Sequence, residues 1–358
     1  MQKTDILSLS SAELTEFIVS LGEPKYRATQ VRGWLIKGAD IDGMKNIPES
    51  LKSKLRDSAF VARADIAKKQ VSRDGTVKYL FGLYDGETVE GVLMKYKYGN
   101  TLCISSEVGC PMGCAFCAST LGGIVRKLLP SEMLSEIIAA QNDSGERVSN
   151  VVMMGIGEPL DNYENVIKFL RLVGEEDGLN IGYRHISLST CGVVDKIYEL
   201  AKEDLPITLS VSLHASSDEK RSELMPVNKR WNIEKLLTAC ADYFRATGRR
   251  ISFEYTLVSG KNDTEADARE LVAVLKKYCG KMPLHVNLIP VNNVTERGFV
   301  PSDRGRVEEF QKTLTDARVN ATVRRKLGSD IDASCAQPSN TNSGICGCFI
   351  TSKDFSFP

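Results

Sequence analysis

From residue 101 onward the chain repeats one pattern: a short, mostly apolar strand, then a helix. The candidate strands are Thr101–Ser106, Asn150–Met154, His185–Thr190, Ile207–Leu213, Ile251–Leu257 and His285–Ile289. Helical periodicity follows over Glu132–Asn142, Tyr163–Val173, Asn232–Arg245, Asp263–Tyr278 and Arg304–Ala317. Strands alternating with helices predict an α/β fold whose parallel sheet is curved or closed, here a partial (β/α)6 barrel. Chemistry in such barrels collects at the C-terminal strand ends. The unusual residues of this chain fall there: a cysteine-rich loop after the first strand, Gly155-Ile156-Gly157-Glu158-Pro159 after the second and Ser189-Thr190-Cys191-Gly192 after the third.

The region before the repeats reads differently. Ser10-x-x-Glu13 is a capping-box pattern ahead of Leu14, Phe17, Ile18 and Leu21, and Tyr26 to Lys37 continues as a second helix. Residues 1–75 are therefore expected to form a small helical accessory domain. Val77, Tyr79, Phe81 and Leu83 alternate, Asp85-Gly86 signals a turn, and Val89 to Met94 returns, so residues 76–100 predict a β-hairpin extension. The barrel is expected over 101–337 and a flexible Ser/Asn/Thr/Gly-rich tail over 338–358.

Lys+Arg and Asp+Glu balance at 46 each, so overall charge gives no argument for a nucleic-acid partner. A local basic excess including Lys52, Lys54, Arg56, Lys68, Lys69 and Arg73 is a candidate RNA-docking surface, against the plainer reading of a solvated face. No apolar run approaches a membrane span, and the start lacks a basic segment followed by an apolar one. A cytoplasmic location with reduced thiols is expected, so the ten cysteines are available for metal or catalysis.

Four of those cysteines fall in CISSEVGCPMGCAFCAST, residues 103–120. Cys110-x3-Cys114-x2-Cys117, with Gly109, Pro111 and Gly113 around it, is a tight loop that turns three thiolates inward. Structural zinc takes four closed ligands, and ordinary iron–sulfur carriers also use four cysteines. Three ligands without an obvious fourth suggest a cubane whose last iron is open. The alternatives are a zinc knuckle completed by Cys346 or Cys348, or buried thiols.

That spacing, followed by GIGEP after the second strand, resembles the radical S-adenosylmethionine (SAM) superfamily. Cys103, Glu90 and Asp330-Ile331-Asp332-Ala333-Ser334-Cys335 narrow the resemblance to the RlmN/Cfr family of radical SAM rRNA adenine methyltransferases. ETVEGVLMKYKYGNTLCISS, VVMMGIGEPL, LSTCGVV, SVSLHA, MPVNKRWNIE and HVNLIPVN carry it, from about Glu23 to Gln337. KYKYGNTLC, CASTLGG and NLIPVN look more like the RlmN branch, which methylates carbon 2 of adenine, than the Cfr branch, which modifies carbon 8 and confers antibiotic resistance.

The resemblance implies a chemistry that gives these residues reasons. Carbon 2 of adenine is electron-poor and cannot attack a sulfonium methyl. The family's solution uses one 4Fe-4S cluster, held by Cys110, Cys114 and Cys117, and two SAM molecules per turnover. Cys335 takes a methyl from the first. The second yields a 5′-deoxyadenosyl radical that removes hydrogen from the S-methyl, and the resulting methylene radical adds to the base. Glu90 matches the base that removes the ring proton, and Cys103 the thiol that resolves the adduct as a Cys103–Cys335 disulfide. Gly157 and Glu158 match the segment holding the methionyl amine of SAM, and Ser189, Ser212, Leu213, His214 and Asn292 its other contacts. Implied partners are 23S rRNA before full ribosome assembly, tRNA, and an electron donor such as flavodoxin or ferredoxin, with no membrane and a monomeric enzyme. Ala336, Lys127 and Asn293 depart from the usual Gly, Asn and Pro of the family pattern. A non-catalytic, metal-stabilised RNA-binding module is the reading from another class.

Overall fold

The computed structural model describes residues 3–291, 298–325, 327–328, 330–331 and 333. One ten-stranded sheet organises it. In chain order its strands are β1 (Ala64–Val71), β2 (Val77–Leu83), β3 (Thr88–Tyr96), β4 (Gly99–Cys103), β5 (Val148–Met153), β6 (Ile186–Thr190), β7 (Thr208–Ser212), β8 (Ile251–Leu257), β9 (His285–Pro290) and β10 (Asn320–Val323). Their order in space is their order in sequence. From β1 to β4 neighbours run antiparallel, and from β4 to β10 every pair is parallel.

The expected parallel strands are all present, and the hairpin joins the same sheet through β3 and β4. Two further strands escaped the pattern. Four-residue β10 is too short to show a period, and β1 carries mostly exposed polar side chains, Lys68 and Lys69 among them. That composition suits an edge strand, where charge discourages pairing with another chain.

The helices are α1 (Ser11–Ser20), α2 (Tyr26–Leu35), α3 (Glu49–Ser58), α4 (Pro130–Ser144), α5 (Tyr163–Val173), α6 (Val194–Leu200), α7 (Asp218–Leu224), α8 (Ile233–Thr247), α9 (Glu265–Cys279) and α10 (Arg304–Asp316). The capping box of α1 forms as its sequence predicts: Glu13 N–H donates to Ser10 Oγ, and Ser10 N–H to Glu13 Oε2 at 2.7 Å. α9 starts later than Asp263 because Thr264 caps it in a reciprocal pair with Asp267. α3 is hard to read from sequence, since ESLKSKLRDS offers only Leu51 and Leu55, one i,i+4 pair, both fully buried.

The strands β6–β9 have two unlike faces. Leu188, Leu209, Val211, Phe253, Tyr255, Val286 and Leu288 are fully buried in the main core. Their alternate neighbours Ser187, Ser189, Ser210, Ser212, Ser252, Glu254, Thr256 and Asn287 line a cavity of about 740 Å³. A (β/α)8 barrel fills its centre with layers of branched side chains. Here short polar side chains occupy those positions and leave a lumen.

Candidate active site

The cysteine loop follows β4 and is tied down at both ends. Glu107–Gly109 pairs antiparallel with Ile124–Lys127, and Cys110 N–H donates to Gly123 O at 2.9 Å. Gly109 has φ +76°, and a Cβ there would lie 2.0 Å from Gly123 O, so no other residue fits. Ala115 N–H donates to Leu224 O at 2.8 Å, while Thr120 Oγ1 donates to the carbonyls of Cys114 and Cys117.

Cys110, Cys114 and Cys117 all line the lumen. Burial pushes the Cys114 thiol up to about 12 and raises Cys110 further, the neighbouring Cys117 adding to both. Three mutually repelling soft donors fit a cationic iron–sulfur group that compensates them. Among the described residues no three His, Cys, Asp or Glu side chains close to the distance of a single ion. Cys346 and Cys348 lie outside the described residues.

The GIGEP loop after β5 packs against the start of the cysteine loop. Gly157 has φ +106°, and its Cβ would meet Glu107 N and Ser106 Oγ at 2.7 Å. Glu158, nearly fully buried, accepts Cys191 N–H on Oε2 at 2.7 Å and Leu160 N–H on Oε1 at 3.0 Å. Burial raises its pKa and these backbone donors oppose the rise. Glu158 N–H in turn donates to Glu107 Oε2 at 2.8 Å. Burial pushes the Glu107 carboxyl up to about 8, so it is protonated at neutral pH.

His214 sits just past β7 with φ +56°. Its Nδ1 accepts Thr256 N–H at 2.9 Å, and its ring meets Phe116 edge-on at 4.9 Å. Burial, then the Arg221 charge, pushes its pKa down to about 3, so the ring is neutral with its proton on Nε2. Gly157, Glu158, Ser189, Ser212 and His214 line the lumen beside the cysteines, whereas Leu213 is buried behind it. Asn292 lies outside the described residues.

Arg221 of α7 is the residue that sequence patterns hide. Its side chain is fully buried and donates to Leu213 O, Ser212 O, Cys191 O and Asn228 Oδ1 at 2.7–3.1 Å. One guanidinium thus gathers the loops after β6 and β7 and the turn after α7. Nothing in DEKRSEL separates this arginine from a solvated one. Glu107 was missed for a similar reason: inside an apolar strand run its carboxyl has no sequence-visible partner.

Cys103 ends β4, paired across to Val92 of β3, and Glu90 lies two residues further along β3. Both line the same lumen as the cysteine triad. Glu90 Oε2 is 3.2 Å from the Lys78 ammonium, with side chains 20% and 5% exposed. Cys335 lies outside the described residues, but Ala333 lines the lumen. Gly328 N–H donates to Asp74 Oδ2 at 2.9 Å and Asp330 bonds Ser72 and Arg73, so this segment is tied to the β1–β2 turn.

Residues 104–272 match the Radical SAM superfamily, and residues 4–61 the Ribosomal RNA large subunit methyltransferase N-terminal domain. A crystal structure of a radical SAM methyltransferase from Sphaerobacter thermophilus superposes with a TM-score of 0.88 at 39% identity, covering 93% of this chain and 98% of that one. Fold and site together define a radical SAM methyltransferase. A probable dual-specificity RNA methyltransferase RlmN of Desulforamulus reducens is 49% identical over 94% of this chain and 95% of its own. Another, of Clostridium botulinum strain Eklund 17B, is 50% identical over 93% and 95%. The chain belongs to the RlmN family of radical SAM RNA methyltransferases. A 4Fe-4S cluster and SAM are the cofactors this superfamily implies.

Proposed function

We propose that this enzyme methylates carbon 2 of an adenine in 23S rRNA and of an adenine in tRNA, through a one-carbon unit carried on Cys335. The observation that supports this most is the shared lumen: Cys103, Glu90, Ala333 and the three loop cysteines all line it. Cys110, Cys114 and Cys117 would hold one 4Fe-4S cluster. Glu158 would take the ammonium of SAM, and Ser189, Ser212, neutral His214 and Asn292 would complete its binding, with buried Leu213 backing them. When bound, the cluster and two SAM molecules per turnover supply the methyl group and the one-electron cleavage of a C–S bond.

The chain's own residues then divide the remaining work. Cys335 carries the carbon to the base and becomes covalently joined to RNA through it. Glu90, held by Lys78, accepts the ring proton. The Cys103 thiolate attacks the Cys335 sulfur. An S–S bond forms, the S–C bond breaks with its electron pair going to the bridging methylene carbon, and that carbon takes a proton to become the methyl group of the RNA. A flavodoxin or ferredoxin as electron donor, a monomeric state and a cytoplasmic location belong to the same reading. Among the described residues no helix is long and apolar enough to cross a membrane.

The test is a pair of variants and one digest. Cys103→Ala should accumulate a protein–RNA adduct, and Cys335→Ala should form neither adduct nor methyladenosine. Nuclease digestion of wild-type product should give 2-methyladenosine. Finding 8-methyladenosine instead would assign the Cfr-type reaction, and free methylated RNA released at the normal rate by Cys103→Ala would remove its role.

A further inference from the structure

The cysteine end is one of two ends of the lumen. Its lining continues down the strands to Tyr96 and Tyr98 at the β3–β4 turn, Asn150 in β5, and Arg184, Thr208 and Arg250 at or just before the starts of β6, β7 and β8. Because β4 to β10 run parallel, all of these lie at the N-terminal end of the barrel. The cysteine end is covered by its own loop, pinned to Leu224 and packed through Met112 and Phe116 against Leu224 and Met225.

The chemistry there is unlike the rest of the surface. Arg184 and Arg250 are exposed and form no ion pair with a described carboxylate. Tyr96 and Tyr98 stack with ring centroids 5.0 Å apart and planes 8° apart, yet Tyr98 keeps 74% of its surface in water. An aromatic platform held flat in solvent beside unpaired guanidinium groups contributes nothing to the core. It is the combination that binds single-stranded nucleic acid, where bases stack on aromatic rings and cations follow the backbone. By contrast, the basic helix α3 is largely neutralised: Arg56 pairs with Asp42 and Glu49, Lys54 pairs with Glu23, and Lys52 donates to Asp42 O.

We propose that RNA docks on this N-terminal mouth, with Arg184 and Arg250 on phosphates and Tyr98 stacked on a base adjacent to the adenine extruded into the lumen. The inference rests on the RNA-methylation reading above. An adenine cannot react inside a stack, so it must leave it, and the polar lumen is the space it enters. Tyr98 takes the stacking place that the extruded base gives up.

The probe is an RNA hairpin with an unpaired adenine in its loop, titrated onto the full chain at several salt concentrations. Tyr98→Ala should bind about tenfold more weakly with an unchanged salt slope, as for loss of one base–aromatic stack. Arg184→Gln with Arg250→Gln should lower the slope by about 1.4, two single-strand phosphate contacts' worth. Lys52→Gln, Lys54→Gln and Arg56→Gln together should change neither affinity nor slope. A wild-type chain that binds the hairpin while the mouth variants bind it equally well overturns this proposal alone. A slope lowered only by the α3 variant overturns it in favour of the N-terminal unit. A wild-type chain with no salt-dependent binding at all overturns the RNA reading along with it.

Discussion

The two ends of the lumen are built on opposite plans. At the cysteine end, buried charged groups bracket the loops: Glu158 accepts amides from two of them, and Arg221 donates to three carbonyls from two strand-end segments. At the other end the guanidinium groups of Arg184 and Arg250 and the ring of Tyr98 stand in solvent. The difference matches what each end would hold. A reaction centre needs its groups fixed within fractions of an ångström, and residues locked by packing and hydrogen bonds provide that. A long polyanion is positioned by several adaptable contacts, whose attraction acts before any exact fit exists.

The sharpest way to break this comparison is to remove a bracket. Arg221→Leu should orphan the carbonyls of Cys191, Ser212 and Leu213 in a buried setting. At about 1–3 kcal/mol for each unsatisfied group, partly relieved by relaxation, the loss should be about 4 kcal/mol in urea unfolding, with SAM affinity reduced too. A loss below about 1 kcal/mol would mean the loops hold themselves and the contrast between the ends is false.

Gly157→Ala tests the same end through the backbone. The residue has φ +106°, and the added methyl would press on Glu107 N and Ser106 Oγ at 2.7 Å. Strain and displacement together should cost about 2–3 kcal/mol and weaken SAM binding measured by calorimetry. Equal SAM affinity in the variant would show that the loop's close approach to β4 does not position the ligand.

How much of this was readable in the chain divides along the same line. The strand–helix alternation and the cysteine spacing are local in sequence, so the sheet order and the loop of Cys110, Cys114 and Cys117 could be anticipated. The lumen is local too, in hindsight: Ser187 and Ser189, Ser210 and Ser212, Ser252 and Glu254 alternate with Leu188, Leu209, Val211 and Phe253. Strands scored only as mostly apolar conceal that period of two. The brackets were not readable. Arg221 reaches Cys191, and Glu158 reaches Glu107, across separations of dozens of residues. A charged side chain acquires a buried partner only once the fold has brought it there. The ion pairs of the basic helix α3 were hidden for the converse reason, because its acidic partners Asp42 and Glu23 lie outside the helix and are adjacent to Arg56 and Lys54 only in space.

The smallest effect is expected where the mouth end is tied to the segment leading to Cys335. Asp74 accepts Thr76 N–H on Oδ1 and Gly328 N–H on Oδ2, both at 2.9 Å, and these backbone donors hold its carboxyl down at about 2, Gly328 foremost. Asp74 is exposed, so Asp74→Asn should leave global unfolding nearly unchanged. Its effect should be local: an asparagine keeps one acceptor oxygen for two amides, and protection of the Gly328 amide against hydrogen exchange should fall about fivefold. The pH dependence has a definite sign. A carboxyl whose folded pKa lies below its ordinary 3.8 gives its full hold above that value and loses it as pH falls towards 2. Wild-type protection at Gly328 should therefore be constant near neutrality and decline only between about pH 4 and pH 2, while the asparagine variant should show no such step. A loss of stability in Asp74→Asn matching that of Arg221→Leu would place a rigid bracket at both ends and erase the distinction between them.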